Sequence, residues 1–60
     1  MKYNIYMCIQ NIDDYYNTIY EKNIEVKNKK DMEEEINKLK EKCNKNASYT
    51  YEYNIVKKLF

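Results

Sequence analysis

Strict alternation of polar and apolar residues is the clearest pattern at the N-terminal end of the chain. Residues 2–10 read KYNIYMCIQ, which has the two-residue period of a strand with one buried face. We therefore predict a first strand here, with Tyr6 and Cys8 on its polar side. Its apolar side carries Tyr3, Ile5, Met7 and Ile9.

The C-terminal segment ASYTYEYNIV, residues 47–56, alternates in the same way and contains three tyrosines. Thr50 and Glu52 lie between them, and such polar side chains cannot face a dry core without partners. We predict a last strand whose inward-facing residues are Tyr49, Tyr51, Tyr53 and Ile55. A tyrosine platform that stacks on bases would need the exposed face of the sheet, where we expect Tyr6 as the only tyrosine.

The segment NIDDYYNTIYEKN, residues 11–23, places aromatic and apolar side chains four residues apart, which favours a short first helix. Asn11 or Asp13 is a candidate N-cap, and Asn23 is the candidate left-handed residue that ends this helix. We then predict a short strand, IEVK at residues 24–27. Its inward-facing residues are Ile24 and Val26.

A second helix is predicted from residue 31, because Asp31 and Glu34 have the spacing of a capping box. Three acids, Glu33, Glu34 and Glu35, then fall in the positively polarised first turn, and lysines gather near the negative end. We expect Asn44 or Asn46 to close the helix. Its apolar stripe is formed by Met32, Ile36, Leu39 and Cys43.

These elements predict the α+β fold class, in a single domain that spans residues 1–60. The expected order is β-α-β-α-β, a small two-layer sandwich of about three strands with two helices on one face. Eight of the 60 residues are tyrosines, which is more ring surface than so small a core can hold. A second copy would cover the excess, so we expect a homodimer.

The sequence lacks residues that several kinds of catalysis and metal binding require. The chain has no His and no Gly, so it offers neither a Ser-His or Cys-His couple nor a phosphate-cradling loop, and we expect no enzymatic activity and no cofactor. Two cysteines without a histidine are too few for a zinc site. Consecutive helical carboxylates point in different directions, so Glu33, Glu34 and Glu35 are not expected to converge on a metal ion.

The cysteines and the apolar runs bear on the cellular compartment. No secretory signal pattern is visible, so we expect a cytoplasmic protein in which Cys8 and Cys43 stay reduced. We expect Cys43 to be a small core residue. If either thiol is reactive, we expect it to be Cys8 on the polar face, although no His, Arg or helix start is predicted beside it to activate it. No run of about 18 apolar residues is present to span a membrane.

Charge and amino-acid usage narrow the functional classes. The net charge is +1 and arginine is absent, so nucleic-acid binding is weakly supported. Lys, Asn, Tyr and Ile supply 35 of the 60 residues, which indicates AT-rich coding DNA of a low-GC bacterium, its phages or plasmids, or an AT-rich eukaryotic virus.

The overall profile resembles the small proteins with which phages and mobile elements block host defence systems, anti-CRISPR proteins among them. The likeness is one of size and composition, and no motif carries it. We therefore expect a non-enzymatic inhibitor or adaptor that binds a protein of the host. Its candidate contact residues are Tyr49, Tyr51, Tyr53, Tyr6, Glu33, Glu34 and Glu35.

The alternative is a small dimeric regulator that binds nucleic acid. A ribbon-helix-helix repressor has a suitable size, since it is a strand followed by two helices in an obligate dimer. The predicted C-terminal strand argues against that plan, which has no use for a further long strand.

Overall fold

The computed structural model describes residues 2–58, which form a three-stranded antiparallel sheet with one helix packed on it. The strand order is β2-β1-β3, so the N-terminal strand lies in the centre. Both of its neighbours run antiparallel to it. The elements are β1 (Lys2–Asn11), a short 3-10 turn (Ile12–Asp14), β2 (Asn17–Val26), α1 (Lys29–Cys43) and β3 (Tyr49–Lys58).

The predicted first helix is wrong, and with it the predicted β-α-β-α-β order and the two-helix layer. Residues 11–23 instead form a turn followed by most of a ten-residue strand, β2. The segment contains three Tyr, two Ile and one Thr, which suit a pleated sheet better than a helix. Pairing with β1 in a hairpin outweighs the four-residue spacing, and the predicted short strand IEVK overlaps the end of β2.

The two strands predicted from alternation are confirmed, at Lys2–Asn11 and Tyr49–Lys58. Their alternation gives the sheet two different faces. Ile5 pairs with Ile24 of β2 and with Ile55 of β3, and these three side chains lie on the face that α1 covers. We call this the helix face and the opposite side the open face.

Helix α1 begins earlier than the capping-box spacing predicted. Its N-cap is Asn28, whose side-chain Oδ1 accepts a hydrogen bond of 2.8 Å from the backbone N–H of Asp31. Asn is as good an N-cap as Asp, and the structure uses Asn28 in place of the predicted Asp31. Glu33, Glu34 and Glu35 therefore lie beyond the first turn, which corrects their predicted position. Asn44 is the C-cap, as predicted.

The apolar stripe of α1 is confirmed as the covering layer of the core. Ile36, Leu39 and Cys43 are buried, and Met32 is half-buried beside them. They pack on the central strand, since a one-sided sheet needs a helix to remove its apolar face from water. The buried cluster consists of Ile5, Met7, Ile9, Ile36, Leu39 and Cys43.

Cys8 is the exception on the open face, because it is only 4% exposed although α1 lies on the other side of the sheet. It sits in the central strand, with Glu21 and Glu52 beside it on the two neighbours. Cys8 therefore lies on the predicted polar face of β1, but its side chain is buried there. Cys8 and Cys43 are both free and lie on opposite faces of the sheet.

Candidate functional site

The strongest candidate site consists of the turn that joins β1 to β2 and the first three residues of β2. We call this segment, residues 12–19, the hairpin tip. The described residues include seven large hydrophobic residues that are exposed, and four of them lie in the tip. Tyr15 is 97% exposed and Tyr16 is 63% exposed, while Ile12 and Ile19 are 45% and 43% exposed. Single exposed apolar residues are normal, whereas four within eight residues make this segment a candidate interaction surface.

The hairpin tip is held in place by hydrogen bonds to the rest of the chain. The side chain of Asn11 accepts a hydrogen bond of 3.0 Å from the backbone N–H of Asp13. The backbone N–H of Ile12 donates to the carbonyl oxygen of Ser48 at 2.9 Å, and the Ser48 hydroxyl donates to the Asp13 carboxylate. These bonds connect the start of the tip to Ser48, just before β3. The residues that precede Tyr15 and Tyr16 are therefore held against the rest of the chain.

The backbone of Tyr15 and Tyr16 has an uncommon conformation. Their φ angles are +55° and +61°, in the left-handed region that bulky residues avoid. This region costs an L-residue roughly 1–2 kcal/mol, and glycine or asparagine is the usual choice. Two tyrosines at these positions therefore lower stability relative to a Gly or Asn turn, and strained exposed residues of this kind concentrate at functional sites.

The hairpin tip and the start of β2 are acidic. Asp13, Asp14 and Glu21 are all exposed, and no lysine occurs between Asn11 and Glu21. The whole chain carries a net charge of +1, so the negative charge is local to this end. A partner that fits the tip would combine an apolar depression for the tyrosines with basic side chains around it.

The three tyrosines of β3 lie on the helix face, as predicted, but they are not equivalent. Tyr49 and Tyr51 are half-buried and pack against the core. Tyr53 is 45% exposed, and its ring stacks on that of Tyr51 with a centroid distance of 6.3 Å and an interplanar angle of 7°. Tyr6 lies on the open face, so the structure does not bring it together with these three.

The three acids of α1 do not share one environment. Glu33 and Glu34 are exposed, whereas the Glu35 carboxylate lies 3.7 Å from the Lys22 Nζ of β2 and 3.6 Å from the Lys38 Nζ. Glu35 thus links α1 to the sheet. The three side chains do not form one acidic patch.

Tyr6 forms the clearest polar contact of the open face. Its hydroxyl donates a hydrogen bond of 2.6 Å to Glu21 Oε2. This bond holds the proton on the phenol and raises the pKa of Tyr6 above its ordinary value. Partial desolvation and the neighbouring Cys8 act in the same direction.

The described part of the chain, residues 2–58, has no pocket and no group of three or more His, Cys, Asp or Glu side chains that could hold a metal ion. Within the same residues, no helix has the length and apolar character needed to cross a membrane.

A signal for the hairpin tip is present in the sequence. Asn11, Asp13, Asp14 and Asn17 cluster within seven residues, and Asn and Asp are the residues that favour turns and tolerate left-handed backbone. A turn-rich cluster between two β-rich segments predicts a hairpin. The tyrosine pair inside it obscured that pattern, because tyrosine is not a turn residue.

Comparison with protein-family models, with curated protein sequences and with solved structures gives no significant match for this chain. The function must therefore be inferred from the chain's own geometry.

Proposed function

We propose that this chain is a non-enzymatic inhibitor or adaptor that binds a host protein through its hairpin tip. The observation that carries the proposal is the presentation of Tyr15 and Tyr16, which are exposed, anchored at their base and held at positive φ. Tyrosine is a frequent anchor of protein interfaces because its ring buries a large area and it has few rotatable bonds. A tip that is already ordered loses less entropy on binding.

The size and composition of the chain support an anti-CRISPR-like role for a phage or mobile-element protein in the cytoplasm of its host. In this role the chain occupies a site on a defence protein and catalyses nothing. The acidic character of Asp13, Asp14 and Glu21 directs the tip towards basic protein surfaces. Such surfaces border the nucleic-acid channels of defence proteins, since they must hold phosphates.

Affinity capture from extracts of a low-GC bacterium with an active defence system tests the proposal. The bait is the wild-type chain, and the test variant is Tyr15→Ser/Tyr16→Ser. The matched control is Tyr6→Ser, which removes an exposed tyrosine from the open face. We expect the wild type and Tyr6→Ser to retain the same protein in low and high salt, and the tip variant to lose it.

Two results would contradict the proposal. Loss of the partner with Tyr6→Ser but not with the tip variant would transfer binding to the open face. Retention of nucleic acid alone, released as salt is raised, would favour the dimeric nucleic-acid-binding regulator. The ribbon-helix-helix form of that regulator does not fit the fold, because the described chain has one α-helix and three strands.

A further inference from the structure

The sheet has two edge strands, and they differ in how open they are to another strand. The order β2-β1-β3 leaves one side of β2 and one side of β3 unpaired in the described chain. An edge strand offers a row of backbone N–H and C=O groups to any strand that approaches, unless bulges or charges prevent pairing.

The edge formed by β2 is protected. The register shifts between the pairs Ile9 with Tyr20 and Gln10 with Thr18, which leaves Ile19 as an extra residue in a β-bulge. Three charged residues follow the bulge. They are Glu21, Lys22 and Glu25.

The edge formed by β3 is open. β3 follows β1 for ten residues without a shift of register, and from Tyr49 to Val56 its only charged residue is Glu52. Two large hydrophobic residues on it are exposed, Tyr53 at 45% and Val56 at 53%. A long, regular strand of this composition is the edge that accepts another strand.

We infer that β3 pairs with β3 of a second copy, antiparallel and with the two-fold axis at Tyr53. This inference deepens the homodimer expected from the sequence by naming its interface and register. Tyr53 then faces Tyr53 of the second copy. A residue that lies a given number of positions before Tyr53 faces the residue that lies the same number of positions after Tyr53 in the second copy. Glu52 faces Asn54, Tyr51 faces Ile55, and Tyr49 faces Lys57.

The neighbouring registers are worse. With the axis at Glu52 the two carboxylates would face each other, which destabilises a strand pair. With the axis at Asn54, Glu52 would face the apolar Val56. The register at Tyr53 avoids both mismatches, because Glu52 then faces Asn54 and Val56 faces Thr50. It also places Tyr51 against Ile55, an aromatic with β-branched pair like the Tyr53 with Ile55 pair of the register at Asn54.

The resulting assembly has six strands in one sheet, in the order β2-β1-β3-β3-β1-β2, with both helices on the same face. Because the central strands are antiparallel, the two hairpin tips lie at opposite ends. One dimer therefore presents two copies of the tip. Binding of two partners rests on the proposed function, whereas the dimer itself does not.

Cysteine crosslinking tests the register. Residues that face each other across an antiparallel pair have Cα atoms about 4.5–5.5 Å apart, within disulfide range. We expect Tyr53→Cys to form a disulfide-linked dimer under mild oxidation, because Tyr53 would lie on the axis. The matched control is Asn54→Cys, whose two copies would lie about 8 Å apart and cannot be bridged. The unchanged protein is the blank, since Cys8 and Cys43 are buried.

A charge swap at the same position tests the interface independently. Tyr53 is not part of the packed core, so its replacement should leave the monomer folded. At about 100 μM the wild type should sediment as a dimer of twice the 7.5 kDa chain mass. Tyr53→Lys and Tyr53→Glu should each sediment as monomers, because like charges meet at the axis. An equal mixture of the two should recover the dimer.

Three outcomes would overturn the inference: a monomeric wild type, a dimer unchanged by Tyr53→Lys, or crosslinking through position 54 instead of 53. The Tyr15→Ser/Tyr16→Ser variant separates this inference from the proposed function. It should lose the partner and keep the dimer, whereas Tyr53→Lys should lose the dimer and keep each tip intact.

Discussion

In the core between α1 and the sheet, Ile36 of the helix is 8% exposed and Ile5 of β1 is fully buried. At the hairpin tip, by contrast, Ile12 and Ile19 are 45% and 43% exposed. Isoleucine thus stabilises the fold where it is buried in the core, and it remains accessible to other molecules at the tip. Burial of an isoleucine is worth about 1.5–3 kcal/mol, and the tip does not gain this energy. The core therefore holds the chain together, and the tip lowers stability in exchange for an exposed surface.

Tyrosine shows the same division. Tyr51 of β3 packs against the core, whereas the side chain of Tyr15 is 97% exposed and its backbone has a positive φ. A turn chosen for stability alone would place Asn or Gly at such positions. This contrast between Tyr51 and Tyr15 supports the proposed role of the tip in binding another molecule.

The largest expected effect comes from comparing the same type of substitution, Ile→Ala, in the two regions. Ile36→Ala removes a buried side chain and should cost about 2–4 kcal/mol, a large share of the stability of a 60-residue domain. Ile19→Ala removes a half-exposed side chain and should cost less than about 1 kcal/mol. Urea unfolding of both variants measures the difference. Equal losses would contradict the division between core and tip.

Removal of the N-cap side chain of α1 should have an intermediate effect on the free energy of unfolding. Asn28→Ala removes the acceptor for the Asp31 backbone N–H and should cost about 1 kcal/mol. The control is Asn37→Ala, the same substitution on the exposed face of the helix, where alanine favours helix formation. Thermal melts followed by circular dichroism compare the two. A helix that began at Asp31 would leave Asn28→Ala without effect.

The acidic residues of α1 should contribute differently to the free energy of unfolding, because within residues 2–58 only Glu35 among them forms an ion pair with the sheet. Glu35→Gln removes the ion pairs with Lys22 and Lys38 and should cost about 0.2–1 kcal/mol, an effect that salt reduces. Glu33→Gln is the control, since this exposed carboxylate has no ion pair within the described chain. Parallel urea titrations at low and high salt resolve the two. A larger loss for Glu33→Gln would show that Glu35 does not link helix and sheet.

The smallest effect is the pH dependence contributed by Tyr6. Its pKa is raised in the folded state above the ordinary value of 10.0, because the phenol donates to Glu21. A raised pKa favours the folded state below the unfolded pKa, and this contribution is lost as pH rises through the folded value. Ultraviolet titration should show one tyrosine that ionises later than the others. Glu21→Gln should bring it closer to the rest.

The sequence predicts the central and last strands and the buried stripe of α1, because alternation and helical periodicity report burial directly. The same patterns mispredict residues 11–23, because Tyr15 and Ile19 are four residues apart, as on one face of a helix, and the bulge at Ile19 interrupts the alternation of β2. The hairpin tip was missed for a related reason. No local rule predicts tyrosine at positive φ, because this conformation is locally unfavourable for a bulky residue and is held in place by the surrounding structure.

The candidate contact residues were predicted from excess and spacing, which do not report which ring remains in water. Tyr53 is exposed at the edge of β3, while Tyr49 is largely covered by the core, and both occupy the same alternation. The exposure of a side chain on β3 depends on which strands lie beside it. That arrangement is set by the pairing of the whole sheet, not by the local sequence.

The most direct test of the central claim is the double variant Tyr15→Asn/Tyr16→Gly, measured for both stability and partner capture. Asn and Gly accept positive φ, so the free energy of unfolding should rise by about 1 kcal/mol or more. Loss of both rings should abolish capture of the host protein. A gain in stability together with loss of binding is the expected result. Lower stability, or capture at the wild-type level, would contradict the claim that the tip gives up stability for recognition.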